Sequence, residues 1–129
     1  MSSELRFDVL VLGGGGAALR AALSACEQGA KTAILSKGEA GKSGATYYSV
    51  AEVGAFNVPD GALDPEDSPE EFYRDMEMAA LGTAQLPLCR ILAEQAESAL
   101  QYLEKISGGT VFAKEDGHFK VYQACFSTR

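Results

Sequence analysis

Gly13 to Gly16 are four consecutive glycines set between the apolar run Phe7–Leu12 and the alanine-rich run Ala17–Leu23. Glycines in that position suit phosphate binding. The N-terminus of a helix gathers unpaired N–H groups and the positive end of the helix dipole, so a pyrophosphate placed there meets donors and favourable charge together. The spacing reads GxGxxA. Gly13 suits the tight turn, Gly15 lets the backbone close on a pyrophosphate, and Ala18 fills the third small position where helix packs on strand. Gly14 and Gly16 are expected to loosen the loop further. A glycine-rich turn that holds no ligand is the alternative reading of the same residues.

Dinucleotide sites of this kind carry a second mark, an acidic residue roughly 20 positions further on that grips a ribose hydroxyl. Ser36 stands at that place. Its hydroxyl can bond a ribose without charge assistance, which leaves dinucleotides other than NAD open. Lys37 suggests a 2′-phosphate or, more simply, a solvated side chain. Gly38, Gly41, Lys42 and Ser43 spell GxxGKS and resemble the end of a phosphate-binding loop of nucleotide triphosphatases. The spacing argues against it, because position 36 would need glycine and a helix should open after Ser43. Gly44 to Val50 is instead rich in β-branched and aromatic residues. Cys26, Cys89 and Cys125 are widely spaced, with no CxxC pair, and read as reduced thiols with neither a disulfide framework nor a metal site. Cys26 is expected in the core of the first helix. His118, the only histidine, lies beside Gly117 in a polar turn and reads as a surface residue.

The elements that must position the glycine turn follow in order. Val9–Leu12 is predicted to be a buried parallel strand, Ala17–Gln28 a helix closed by Gly29, and Lys31–Leu35 the second strand. An acidic, turn-rich connection follows through Pro59, Asp60, Asp64 and Asp67. Ser68, Pro69 and Glu71 then mark a helix start as N-cap, first helical residue and capping-box partner. Phe72, Tyr73, Met76, Ala79 and Ala80 form its apolar face, and Gly82 ends it. A second helix begins near Pro87, with Leu88, Ile91, Leu92, Ala96, Ala99, Leu100 and Leu103 as a core-facing stripe that stops at Ser107–Gly109. Thr110–Ala113 and Phe119–Tyr122 are predicted to pair as a hairpin around Asp116 and Gly117.

The whole reads as an α/β fold within one domain of 129 residues. A net charge of −7 without a basic stripe argues against nucleic-acid binding. No run is apolar enough to insert in a membrane, and Met1–Arg6 lacks the pattern of a signal peptide, so a cytoplasmic location is expected.

Together these segments resemble the N-terminal part of the succinate dehydrogenase and fumarate reductase flavoprotein family, with a closer likeness to its L-aspartate oxidase branch. The likeness covers nearly the whole chain. It is carried by the turn at Gly13, Gly15 and Ala18, the LSKG of Leu35–Gly38, the SGATYY of Ser43–Tyr48, and the two later helices. It implies a partial Rossmann-like FAD-binding domain spanning residues 1–129, with a loop over 38–68 and the capping domain absent. FAD would sit at Gly13, Gly15, Gly16, Ala17 and Ala18, its adenosine ribose near Ser36, Lys37 and Gly38. The loop of Ser43, Gly44, Ala45 and Thr46 would run beside the flavin and its phosphates. The membrane-bound dehydrogenases of the family attach flavin to a histidine in this loop, whereas Gly44 and Ala45 occupy the region here, so the implied FAD is noncovalent. The family's glutamine and paired glycines are replaced by Val50, Ala51 and Glu52, and its GGHS-like segment by Ala124, Cys125, Phe126 and Ser127 before Arg129.

No catalytic residue is carried over by the likeness. The expectation is an FAD-binding portion of an oxidoreductase, inactive alone. A dinucleotide-binding module that works through a partner polypeptide, and a fragment with an incomplete, empty site, are the alternatives. An open sheet edge and uncovered helix faces imply self-association or docking to the remaining segments of a longer flavoprotein.

Overall fold

A computed structural model of the chain describes residues 4–47 and 55–123. The chain divides into two compact units, Met1–Gly54 and Ala55–Arg129. The first contains strand β1 (Val9–Leu12), helix α1 (Gly16–Glu27) and strand β2 (Thr32–Leu35). β1 and β2 run parallel, with Val9 opposite Thr32 and Leu12 opposite Leu35, and α1 packs against both. The ladder is extended at its start by side-chain chemistry: Lys31 N–H donates to the Asp8 carboxylate at 2.8 Å, and Lys31 C=O accepts from Asp8 N–H. Lys31 therefore lies just outside β2, which begins one residue later than predicted.

The expectation of a buried β1 is corrected. Val9 and Val11 are half-buried while Leu10 and Leu12 are 59% and 73% exposed. Alternate residues of a strand point to opposite faces, and α1 covers one of them. Cys26 is likewise exposed on α1 rather than in a core, where Ala22 sits instead. α1 starts at Gly16 and ends at Glu27, one residue before the predicted limits at each end.

The second unit contains α2 (Pro69–Ala79), α3 (Leu86–Ile106) and the antiparallel pair β3 (Lys114–Glu115) and β4 (His118–Phe119). Ser68 caps α2, its hydroxyl accepting from Glu71 N–H at 3.3 Å. The return half of the capping box is not formed. Ser68 N–H donates to Asp67 at 2.9 Å, and the Glu71 carboxylate pairs with Arg74 at 2.8 Å. Burial raises the Asp67 carboxyl above the usual range. Ser68 N–H opposes that shift, and the neighbouring Asp60, Asp64 and Asp75 add to it.

α2 and α3 meet through small residues. Ala93 and Ala96 are each 1% exposed, and Asp75 of α2 is buried with them in this unit's core. Arg90 of α3 stacks on the Tyr73 ring at 3.7 Å and hydrogen-bonds Glu70, which holds the Glu70 carboxyl below its ordinary value. The predicted core stripe is only partly realised, because Leu88, Ile91 and Leu92 are about half exposed or more. The apolar stripe of α3 is wider than its fully buried line, which runs through Ala93 and Ala96.

The hairpin turns on Asp116 and Gly117, both at positive φ (50° and 84°), as a two-residue turn of the mirror-image type requires. Such a turn forces Glu115 and His118 to pair directly. The strands are therefore shorter and closer to the turn than the predicted Thr110–Ala113 and Phe119–Tyr122. His118 is exposed on β4, and Phe112 stands edge-on to Phe56 and Phe119.

Among the described residues no helix is long and apolar enough to cross a membrane, no cluster of three or more metal-ligating side chains occurs, and Cys26 and Cys89 are free thiols. Val50, Ala51, Glu52 and the segment Ala124–Arg129, which includes Cys125, lie outside the described residues.

Candidate functional site

The glycine turn leaves the carboxyl end of β1 and enters α1 beside the carboxyl end of β2. Gly13 N–H donates to Leu35 C=O at 2.8 Å, so the turn begins as a continuation of the parallel ladder. Gly13 has φ 123°, a conformation costly for any side chain, and faces Ala18 across the turn: a Cβ on Gly13 would lie 3.6 Å from the Ala18 methyl. The first and third small positions of the GxGxxA pattern are therefore neighbours in space.

Gly15 is the N-cap of α1. It has no side chain to cap the helix, and the first turn carries no acidic residue. The opening N–H groups of a helix have no intrahelical partner, so this end presents donors and the positive end of the dipole together. Nothing anionic belongs to that first turn. Leu19 N–H closes the helix onto Gly15 C=O at 3.0 Å.

Gly14 and Gly16 do not loosen the loop; they are the positions where its side chains press closest. A Cβ on Gly14 would lie 2.5 Å from the Ser36 hydroxyl, 2.7 Å from the Ser43 hydroxyl and 3.1 Å from Ser36 Cβ. One on Gly16 would lie 2.8 Å from the Thr46 hydroxyl. The segment after β2 folds back over the turn, tied by Gly41 N–H to Gly14 C=O at 3.0 Å. Three hydroxyls thus line a cradle of backbone donors. Lys42 pairs with Glu39 at 2.8 Å, both well exposed, a bond worth roughly 0–1 kcal/mol.

Of the residues singled out from the sequence, Gly13, Gly15, Gly16, Ala18, Ser36, Ser43, Gly44 and Thr46 come together at this turn. Ala17, Lys37, Gly38 and Ala45 are exposed around it, and a Cβ on Gly38 would meet nothing within 4 Å. Gly14 and Gly41 are not among the expected ligand-site residues, although both build it. Their signal would have been the fold-back itself, which no local spacing encodes. The segment Lys42–Tyr47 is a run of turns rather than a helix, with Tyr47 N–H bonded to Gly44 C=O at 3.2 Å.

A parallel βαβ unit with a glycine turn at the carboxyl ends of its strands defines a dinucleotide-binding α/β fold. The chain belongs to the FAD binding domain family, which matches residues 8–128. Over 118 residues it is 40% identical to a fumarate reductase (CoM/CoB) subunit from Methanothermobacter marburgensis, a stretch that covers 90% of this chain and 20% of the relative. Its fold matches Mycobacterium smegmatis Sdh1, both in complex with UQ1 and in the apo form. In each case the TM-score is 0.80 and the identity 26%, with 95% of this chain and 20% of that chain covered. The chain therefore spans about a fifth of the length of these relatives. Its parallel βαβ, helix pair and small hairpin correspond to part of the FAD domain in the succinate dehydrogenase and fumarate reductase flavoprotein family.

Proposed function

We propose that this chain is an FAD-binding portion of a fumarate reductase or succinate dehydrogenase-like oxidoreductase, and that it holds FAD noncovalently. The observation that carries the reading is the cradle at the N-terminus of α1, where an acid-free helix start, glycines and three hydroxyls converge. Its donor set fits an anionic dinucleotide. The N–H groups of Gly15, Gly16 and Ala17 would receive the pyrophosphate, with Gly13 and Ala18 keeping turn and helix close enough to present them. Ser36, with Lys37 and Gly38 after it, would meet the adenosine ribose. Ser43, Gly44, Ala45 and Thr46 would form the opposite wall beside the phosphates and flavin.

Bound FAD supplies hydride transfer at its isoalloxazine ring. This chain's residues bind and orient it. Residues 36–47 include no histidine, which supports noncovalent attachment. The fumarate reductase side of the family is favoured over the L-aspartate oxidase branch because the 40%-identical relative belongs to a fumarate reductase. Catalysis is assigned to the longer flavoprotein, of which such a chain would represent about a fifth.

A second reading, a module that acts by docking to another polypeptide, draws on the exposed Leu10, Leu12 and Leu35 of the β1–β2 sheet. The test is direct. Purified chain incubated with FAD and desalted should retain flavin absorbance, and acid precipitation should release all of it to the supernatant. Flavin left in the pellet would overturn noncovalent attachment, and a colourless protein would overturn FAD binding by this chain.

A further inference from the structure

Resemblance alone would put Gly44 beside the flavin as a contact residue, but its geometry gives it another task. Gly44 has φ 81°, in the left-handed region, and a Cβ there would lie 3.2 Å from Gly15 Cα and 3.8 Å from Gly15 N. The backbone angle favours glycine outright, the approach leaves a Cβ short of room by a few tenths of an ångström, and both arise within the chain itself. Gly15 is the contrasting case. Its φ is −87°, and a Cβ on it would make only ordinary contacts, 3.5 Å to Ser43 O and 3.6 Å to Gly44 Cα.

The two backbones thus approach each other at a point where only one of the two glycines is needed by the protein. Around that point the loop is pinned by Gly41 N–H to Gly14 C=O and is closed by Tyr47 N–H to Gly44 C=O. Ser43 and Thr46, the residues on either side of the approach, carry the hydroxyls that rest against Gly14 and Gly16.

We propose that Gly44 is a positioning residue. By lacking a Cβ at its crossing with Gly15, it seats the Gly41–Tyr47 loop on the glycine turn and so forms the hydroxyl wall of the cradle before any ligand arrives. Gly15, in turn, is kept small for the ligand rather than for the fold. The ligand consequence rests on the FAD reading above; the seating of the loop does not. An alanine at position 44 must adopt a left-handed backbone, at a cost that corresponds to about tenfold in an equilibrium, and must also push Gly15 away.

The test is amide hydrogen exchange of the full chain without ligand, combined with FAD titration followed by flavin fluorescence, for the native sequence, Gly44→Ala and Gly15→Ala. In Gly44→Ala the Gly41 amide should lose about tenfold of its protection, while the Leu19 amide inside α1 keeps its own, and FAD should bind about tenfold more weakly. In Gly15→Ala both amides should stay protected while FAD binding falls. Unchanged Gly41 protection in Gly44→Ala would overturn the proposal. So would loss of protection throughout α1, since Gly44 would then be needed for folding and not for positioning. If the native chain takes up no FAD but the exchange pattern is as stated, the FAD reading fails and the positioning role stands.

Discussion

In Met1–Gly54 the decisive contacts are made where side-chain atoms are missing, whereas in Ala55–Arg129 they are made by side chains that are present. The glycine turn holds its loop through close approaches at Gly14 and Gly16, where a Cβ would press on the Ser36, Ser43 or Thr46 hydroxyl, and at Gly44, where it would press on the Gly15 backbone. The helix pair depends on the Ser68 cap, the Arg90 guanidinium stacked on Tyr73, and the Ala93 and Ala96 methyls in its core. The difference follows from what each must do. A phosphate cradle has to expose backbone N–H groups, so its sequence is selected for smallness. A scaffold of two helices has to fill space and satisfy its ends.

Added atoms should therefore damage the first unit and removed atoms the second. The largest effect is expected from Gly14→Val, whose Cβ meets Ser36 on one side and Ser43 on the other. Thermal unfolding should register a loss of about 1–3 kcal/mol, the usual range for overpacking. Amide exchange should localise it to β1 and the turn. A variant as stable as the native chain would show that Ser36 and Ser43 turn aside freely, and the contrast between the units would weaken.

Next comes Ser68→Ala, which deletes the cap of α2 and should cost about 1 kcal/mol. Ser68→Asn should restore most of that, because its side-chain oxygen can accept from Glu71 N–H in the same way. Equal stability of all three proteins would mean that Asp67, through Ser68 N–H, already fixes the helix start.

Asp67→Asn should have the smallest effect of the three, and of opposite sign. Its carboxyl is raised in the folded chain, so the folded state holds that proton more tightly than the unfolded one. Stability from this group falls as pH rises from the unfolded value, about 3.9, through the raised folded value. Asparagine keeps an acceptor for Ser68 N–H and removes the charge facing Asp60, Asp64 and Asp75. The variant should be slightly more stable than the native chain at neutral pH and lose that advantage near pH 3. Glu70 contributes in the other sense, since Arg90 lowers its pKa and its contribution is lost as pH falls. An advantage that persists undiminished at pH 3 would show that charge is not its cause.

The local elements were legible because their signals are local. The GxGxxA spacing with strands on either side marked β1, α1 and β2, Ser68–Pro69 marked the start of α2, and Asp116–Gly117 marked the hairpin turn. What spacing could not give is which face is covered. Leu88, Ile91 and Leu92 continue the apolar stripe of α3, but the fully buried positions are Ala93 and Ala96. The hairpin register was hidden for a related reason, because the two-residue turn fixes the pairing and the apolar residues further out do not. At the site the glycines were legible and their division of labour was not. Gly14, Gly16, Gly41 and Gly44 take their roles from a loop that returns across the turn, an event that depends on contacts between residues far apart in sequence.

If the turn at Gly13–Gly16 is shaped for a pyrophosphate rather than for the chain's own packing, Gly15 is where the two demands separate. FAD should be titrated into the native chain and into Gly15→Ala, with circular dichroism and thermal unfolding measured on the same samples. Saturable binding is expected of the native chain and at least about a tenfold loss in Gly15→Ala, since the new methyl would occupy the place of closest phosphate approach. Folded stability should be nearly unchanged, because the chain itself has room for that Cβ. Equal FAD affinity in the two proteins would contradict a turn shaped for pyrophosphate.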